Sequence, residues 1–194
     1  MPRLDRTNRV TLRLPHNILQ VLKKESEKRD LPLNAIINRI LSKNVIFDIQ
    51  LNVLPTITMS QALFSKILAK LDEKNQKEIV LYVPKSVKQL FAILNLNYDL
   101  KNIIENHFII MDKYCGWYNF YYDLKGNNYR LVFEANLGPD WTQFLKLYLT
   151  SILNSLRISD IDVKIEGSVL VFKFQKMTQL DAVCPPTLIP KFRR

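Results

Sequence analysis

The feature that most constrains the fold is a strand pattern near the N-terminus that is followed by only two short helices. Residues 9–14 alternate polar and apolar side chains, which places Val10, Leu12 and Leu14 on one face of a predicted strand that ends at Pro15. One strand and two helices in about 40 residues cannot close a hydrophobic core, since domains that small usually need disulfides, metal or oligomerisation. The simplest completion is a homodimer in which the strand pairs with its own copy.

The two helices carry apolar stripes that need a partner surface. The first is predicted from about His16 to Lys28, and the segment Asp30-Leu31-Pro32 ends it. The second is predicted over roughly Leu33 to Lys43. Its apolar residues recur at helical spacing and form one stripe: Leu33, Ile36, Ile37, Ile40 and Leu41. In a dimer, four such helices would bury their stripes together.

Positive charge is concentrated in the same region. The 194-residue chain has 28 basic and 18 acidic side chains, a net charge of +10. Residues 1–44 hold ten basic and four acidic side chains, a net of +6, whereas residues 45–175 carry +1 and residues 176–194 carry +3. The surface that would attract an anion, most simply nucleic acid, therefore lies at the N-terminus, with a small contribution from the tail.

These residues resemble the ribbon-helix-helix family of DNA-binding repressors, the Arc and methionine-repressor type. The resemblance rests on the RVTLRLP segment, a first helix, a short break and the NAIINRIL helix, and it covers residues 7–44. It implies that two copies of the strand form an antiparallel β-ribbon, which enters the major groove of double-stranded DNA.

The resemblance also implies roles for single residues. Arg9, Thr11 and Arg13 on the outward face of the ribbon would contact base edges, because arginine pairs with guanine and threonine contacts bases or the thymine methyl group. Leu33 and Asn34 at the start of the second helix would bind a phosphate through their backbone N–H groups. Basic side chains outside the ribbon are expected to add phosphate contacts: Arg3, Arg6 and Lys43.

After residue 44 the pattern changes, and an α+β domain is predicted over residues 45–175. Its clearest elements are two β-hairpins, at 117–135 and 161–174, which flank a helix capped by Asp140. The order strand-strand-helix-strand-strand favours an antiparallel sheet covered by helices.

The rest of this domain is less regular. Residues 45–53 are predicted to be strand-like near their end, 72–78 to be a polar connector, and 79–83 to be a short strand or buried turn. Residues 176–194 are predicted to form an extended basic tail. Three helices are predicted before the first hairpin: 59–71, 84–94 and 100–111.

Aromatic residues are dense between Tyr114 and Tyr148. Three roles fit them: a core and its edge, a dimer contact, or an effector pocket whose candidate residues are Trp117, Tyr121 and Arg130. We therefore interpret residues 45–175 as a dimerisation or sensor domain. Its effector would be either a small molecule or a protein.

The sequence contains no motif for catalysis. A glycine-rich phosphate loop, a nucleophile elbow and paired metal-ligand spacings are all missing from it. We therefore expect no enzyme activity, no cofactor and no metal site. No apolar run approaches the roughly 18–20 residues of a membrane span, and the start MPRLDRTNRV lacks the apolar stretch of a signal peptide. We expect a cytoplasmic, nucleoid-associated protein with no membrane contact.

Together these features predict a homodimeric, sequence-specific DNA-binding transcription regulator. Two other functions fit the same residues. One is an antitoxin-like protein whose larger domain binds a protein partner while the ribbon regulates its own promoter. The other is a sequence-independent chromatin or plasmid-partition protein, which would bind all DNA sequences with similar affinity.

Overall fold

A computed structural model describes residues 8–48, 57 and 59–176, and it has the mixed helix and sheet content of the α+β class. The chain divides into two compact units, Met1–Asn52 and Val53–Arg194. Within the described ranges, none of the helices combines the length and the apolar character that crossing a membrane requires.

The described part of the N-terminal unit, residues 8–48, contains two α-helices. They are α1 (His16–Arg29) and α2 (Leu33–Lys43), and α2 continues into a π-helical turn, Asn44–Asp48. The turn between α1 and α2 is made without glycine, because Asp30 adopts the left-handed backbone conformation with a φ of 51°. Aspartate tolerates this conformation better than most residues, so it can end a helix where glycine is the usual choice.

The strand-like character is predicted only near the end of residues 45–53, and the structure describes this segment only as far as Asp48. Residues 44–48 prolong α2, and Phe47 is buried against the helices of this unit. Nothing in the sequence ends α2 at Lys43, since neither glycine nor proline follows before Pro55. Residues 49–53 lie outside the described residues.

In the described part of the C-terminal unit, from residue 59 onward, helices come before the sheet. A later helical segment starts as α6 (Leu100–Ile103), continues through the π-helical turns Ile104–Phe108 and Met111–Cys115, and ends at Gly116 with a φ of 63°. Among the described residues of this unit, three helices precede it: α3 (Gln61–Leu68), α4 (Glu73–Val80) and α5 (Val83–Ile93).

The segment predicted as a polar connector is the helix α4. Asp72 caps it, because its Oδ1 accepts a hydrogen bond from the Asn75 N–H at 2.7 Å. One turn apart on the exposed side, Lys77 Nζ lies 2.6 Å from Glu73 Oε1. The prediction of a connector was wrong because both of these stabilising interactions are polar. The segment therefore lacks the repeat of apolar residues by which a helix is recognised in a sequence.

The short strand or buried turn predicted at residues 79–83 falls at the end of α4 and in the turn into α5. α4 buries only Gln76 and Val80. The apolar run therefore reflects the junction of two helices, where Val80 faces the core and its neighbours do not.

Residues 118–175 of this unit form a four-stranded antiparallel sheet with one long helix. In chain order the elements are β1 (Tyr118–Lys125), β2 (Asn128–Ala135), α7 (Pro139–Ser155), β3 (Asp162–Glu166) and β4 (Val169–Gln175). The strands are arranged β1-β2-β4-β3. Both predicted hairpins and the helix between them are confirmed, but Asp140 does not cap the helix. The helix begins at Pro139, so Asp140 lies in its first turn, and Gly138 at the N-cap position provides no side-chain cap.

The core lies between one face of this sheet and the helices. The register places Phe120 opposite Phe133 and Leu131 opposite Phe172, and all four side chains are buried. α7 covers them with a stripe of fully buried residues: Trp141, Leu145, Leu149, Ile152 and Leu153. Because side chains alternate along a strand, the other face of the sheet is open and carries polar residues.

Candidate nucleic-acid interface

The segment predicted to read DNA is exposed along its whole described length. Residues 8–15 form no strand in the single chain, since a two-stranded ribbon needs a second strand to pair with. The apolar residues of the alternation are uncovered: Val10 is 74% exposed, Leu12 49% and Leu14 37%. The three predicted base contacts are exposed with them: Arg9, Thr11 and Arg13.

Helices α1 and α2 also leave most of their apolar side chains uncovered. α1 buries no residue, and α2 buries only Ile36. Four large apolar side chains of these helices are exposed: Ile18, Val21, Ile40 and Leu41. Removing such area from water is favourable by about 25 cal/mol per Å². The unit therefore has the surface expected of one half of a larger assembly.

The start of α2 has free backbone donors. Pro32 precedes the helix and gives it no side-chain cap, and its carbonyl accepts from the Ala35 and Ile36 N–H groups at 2.8 and 3.2 Å. The N–H groups of Leu33 and Asn34 have no acceptor in the described part of the chain. Together with the positive end of the helix dipole, these two donors can bind a phosphate oxygen.

The structure does not bring Lys43 to the start of α2. Lys43 lies at the other end of this 11-residue helix, about 15 Å away at a rise of 1.5 Å per residue. Its Nζ lies 3.6 Å from Asp48 Oδ1 and 5.9 Å from the centroid of the Phe47 ring. A phosphate would have to compete with the Asp48 carboxylate for this lysine. The predicted phosphate contacts Arg3 and Arg6 lie outside the described residues.

The three candidate effector residues do not share one site. The Trp117 ring packs edge-on against Trp141 and Tyr148, with centroid distances of 5.3 and 5.4 Å, on the side of the sheet that α7 covers. Tyr121 and Arg130 lie on the open face of the sheet, on the neighbouring strands β1 and β2. The structure thus brings two of the three together and places Trp117 against the core.

Arg130 also lines a groove of about 570 Å³ in the C-terminal unit. Its cross-strand neighbour is Lys173 of β4, and neither forms an ion pair with a described residue. Asp123, the neighbour of Arg130 on β1, lies 3.6 Å from Lys125 Nζ. Ser159 and Asp160, in the loop after α7, also line the groove. Lys173 was not predicted, because the sequence gives no register between two separate hairpins.

A polar cluster is buried in the core of the C-terminal unit. His107 Nε2 lies 2.8 Å from the Tyr148 hydroxyl, and burial lowers the pKa of His107 to about 4. Burial also raises the pKa of Tyr148, and it raises the pKa of Tyr118 well above its usual value. These groups are therefore neutral at pH 7. Among the described residues, no three His, Cys, Asp or Glu side chains are grouped closely enough to hold a metal ion.

The N-terminal unit thus offers exposed arginines, uncovered apolar faces and free helix donors, whereas the C-terminal unit has a core of its own. No protein-family model matches the chain, and comparison with curated proteins finds no similar sequence.

Proposed function

We propose that the protein is a homodimeric, sequence-specific DNA-binding transcription regulator of the ribbon-helix-helix type. The observation that carries this proposal is the exposed segment 8–15 with its two different faces. One face holds uncovered apolar residues that pairing with a second copy would bury. The other holds two arginines and a threonine, which are side chains that read base edges.

The proposed complex follows from the two-fold symmetry of a homodimer. The paired segments would form a ribbon in the major groove, with Arg9, Thr11 and Arg13 of each copy facing the bases. The free N–H groups of Leu33 and Asn34 would hold a phosphate on each side. The net charge of +6 on residues 1–44 supports this arrangement, because release of counterions from DNA drives such binding.

The experiment that tests the proposal is selection of bound fragments from a genomic DNA library at roughly physiological salt. Wild type is compared with Arg9→Ala/Arg13→Ala and with a matched control, Lys23→Ala/Lys24→Ala, which removes the same charge from exposed positions of α1. We expect wild type and control to enrich one short motif, and the ribbon variant to lose it.

Other outcomes would support a different function. Binding without enrichment of any motif in wild type would indicate a sequence-independent chromatin or partition protein. Absence of DNA binding, together with capture of one small protein in a stoichiometric complex, would indicate the antitoxin-like alternative. Either result would contradict sequence-specific regulation.

For the C-terminal unit we propose a sensor role for the groove at Arg130 and Lys173. Arg130 and Lys173 lie directly opposite each other across β2 and β4, and neither forms an ion pair with the carboxylate on its other side, Asp123 or Asp162. An anion between the two basic groups would relieve their repulsion. The ligand class is a small carboxylate or phosphate. Inorganic phosphate and citrate should raise the melting temperature of wild type more than that of Arg130→Gln/Lys173→Gln; an equal rise in both would exclude this site.

A further inference from the structure

The two edge strands of the sheet differ in how well they are protected. An edge strand presents unpaired N–H and C=O groups, which bind other strands unless the edge is short, charged, bulged or covered. β3 has five residues and three of them are charged: Asp162, Lys164 and Glu166. β1 has eight residues and pairs with β2 continuously from Tyr118 to Lys125 without a bulge.

The exposed part of β1 is largely aromatic and apolar. Every residue from Tyr121 to Lys125 is exposed, with Tyr121 61%, Tyr122 48% and Leu124 49% accessible. Its two charged residues, Asp123 and Lys125, lie on the open face and pair with each other at 3.6 Å. β1 has no charge on the side that continues the covered face, and the two charges on its open face, Asp123 and Lys125, offset each other. Charge therefore protects this edge less than it protects β3.

We propose that β1 pairs antiparallel with β1 of a second copy and joins the two four-stranded sheets into one continuous sheet. This interface goes beyond the proposed DNA-binding function, because it lies in the C-terminal unit and needs no DNA. With a two-fold axis perpendicular to the sheet, the covered faces of both copies lie on one side of the joined sheet and the open faces on the other. Facing residues must therefore be an even number of positions apart in β1, since side chains alternate between faces.

β1 is complementary to itself when Tyr122 lies on the axis. On the covered face, Tyr122 then meets its own copy and Phe120 meets Leu124, so only apolar or aromatic groups face each other. On the open face, the remaining pairs bring no like charges together: Tyr121 with Asp123 and Asn119 with Lys125. This register keeps the strand paired from Asn119 to Lys125.

Neighbouring registers are less favourable. With Asp123 on the axis, two carboxylates would lie directly opposite each other, which destabilises a sheet. With Tyr121 on the axis, the partner strand would extend alongside Tyr118, which is fully buried beside the helical segment that ends at Gly116. With Leu124 on the axis, only Asp123–Lys125 of each strand would pair with its copy.

Symmetric disulfide formation tests both the interface and its register. Directly opposite residues of an antiparallel pair have Cα atoms about 4.5–5.5 Å apart, which is within the range a disulfide can bridge. In the full chain with Cys115→Ser/Cys184→Ser, Tyr122→Cys should form a covalent dimer under mild oxidation, and a reductant should reverse it. Tyr122 is 48% exposed and lies outside the buried core, so this substitution removes only its stacking contact with the Phe120 ring, at a centroid distance of 5.7 Å.

The matched control is Tyr121→Cys, a neighbouring tyrosine that is more exposed. In the proposed register its Cα lies about 8 Å from its own copy, from a rise of 3.4 Å per residue and a strand spacing of 4.8 Å, so it cannot form the disulfide without distortion. We expect at least tenfold faster dimer formation by Tyr122→Cys than by Tyr121→Cys. Equal rates, or no covalent dimer from either variant, would overturn the proposal.

A non-covalent measurement complements the disulfide. Leu124→Lys places a charge on the covered face of the proposed interface, opposite Phe120, and should shift self-association to higher protein concentration in sedimentation equilibrium. The measurement is made in a Leu12→Glu background, so that pairing of the N-terminal segments does not contribute. If Leu124→Lys leaves association unchanged there, β1 is not the contact.

Failure of this interface is distinguishable from failure of the proposed function. If β1 does not pair, the covalent dimer is missing while the selected DNA motif is retained. If the N-terminal segment does not bind DNA, the motif is missing while the Tyr122→Cys dimer still forms. A Tyr122→Cys chain that instead captures an extended peptide of another protein would overturn self-pairing in favour of a foreign strand.

Discussion

His107 and Tyr148, two buried residues of the C-terminal unit, form a hydrogen bond with each other. If either side chain became charged, that charge would be buried in the core, so both groups must stay neutral. An unperturbed histidine has a pKa near 6.5, and burial lowers that of His107 to about 4. Between these two values the unfolded chain binds a proton that the folded chain does not. His107 is therefore a point at which pH acts on the stability of the fold.

We expect the contribution of His107 to stability to be complete above about pH 6.5 and to be lost progressively as the pH falls toward 4. Because the folded pKa is the lower one, acid favours unfolding, with a total effect on the order of 3 kcal/mol. Urea unfolding of wild type and His107→Gln at pH 7 and pH 4.5 measures it. Glutamine does not titrate, so the variant should lose less stability in acid; an identical loss would contradict the expectation.

Arg13 and Lys43 are expected to differ in what they contribute to DNA binding. Arg13→Ala should cost about 1–3 kcal/mol on the selected motif and relax its sequence preference, because a base contact is lost. Lys43→Ala should weaken binding to all sequences alike and by less, since Lys43 is paired with Asp48. Fluorescence anisotropy with the motif and a scrambled duplex separates the two. Equal losses for both variants on both duplexes would refute a base-reading role.

At the level of elements, the sequence predicts best those that have an apolar period or a recognisable turn. The hairpin β1–β2 follows from its Lys125-Gly126-Asn127-Asn128 turn, and α7 from its single apolar stripe. α4 has neither, since polar contacts stabilise it. The continuation of α2 through residues 44–48 was missed because an apolar run of that length fits a strand equally well.

The cap of α4 can be tested directly. Asp72→Ala should destabilise the C-terminal unit by about 1 kcal/mol, because the Asn75 N–H loses its acceptor. Asp72→Ser restores an oxygen acceptor and should recover most of this loss. Chemical denaturation followed by far-UV circular dichroism gives both values. A serine variant as unstable as the alanine variant would mean that the hydrogen bond is not the source of the effect.

For the whole molecule, the sequence predicted the α+β class and the charge asymmetry between the two regions, since both follow from local patterns. The partners of single residues could not be predicted. Lys173 becomes a neighbour of Arg130 only through the pairing of β2 with β4. Trp117 is separated from the other two candidate pocket residues because it packs on the side of the sheet that α7 covers. Such contacts depend on register and on layer order, which single-sequence patterns do not specify.

Leu12→Glu is expected to change the whole molecule without disturbing its larger core. Leu12 is exposed in the single chain, so a charge there costs the monomer little, whereas two such charges would meet in the proposed ribbon. Sedimentation should show weaker self-association, and DNA binding should be lost. Near-UV circular dichroism of the C-terminal aromatic cluster serves as the control. A dimer and DNA affinity equal to those of wild type would contradict the ribbon.

The absence of any buried residue in α1 has a consequence for how such a protein responds to its own abundance. If helices α1 and α2 become stable only when two copies meet, the concentration of DNA-competent module rises with the square of chain concentration while chains are scarce. A small change in synthesis or degradation then produces a larger change in operator occupancy. Scarce chains would also expose their N-terminal residues to proteases, which steepens the same threshold.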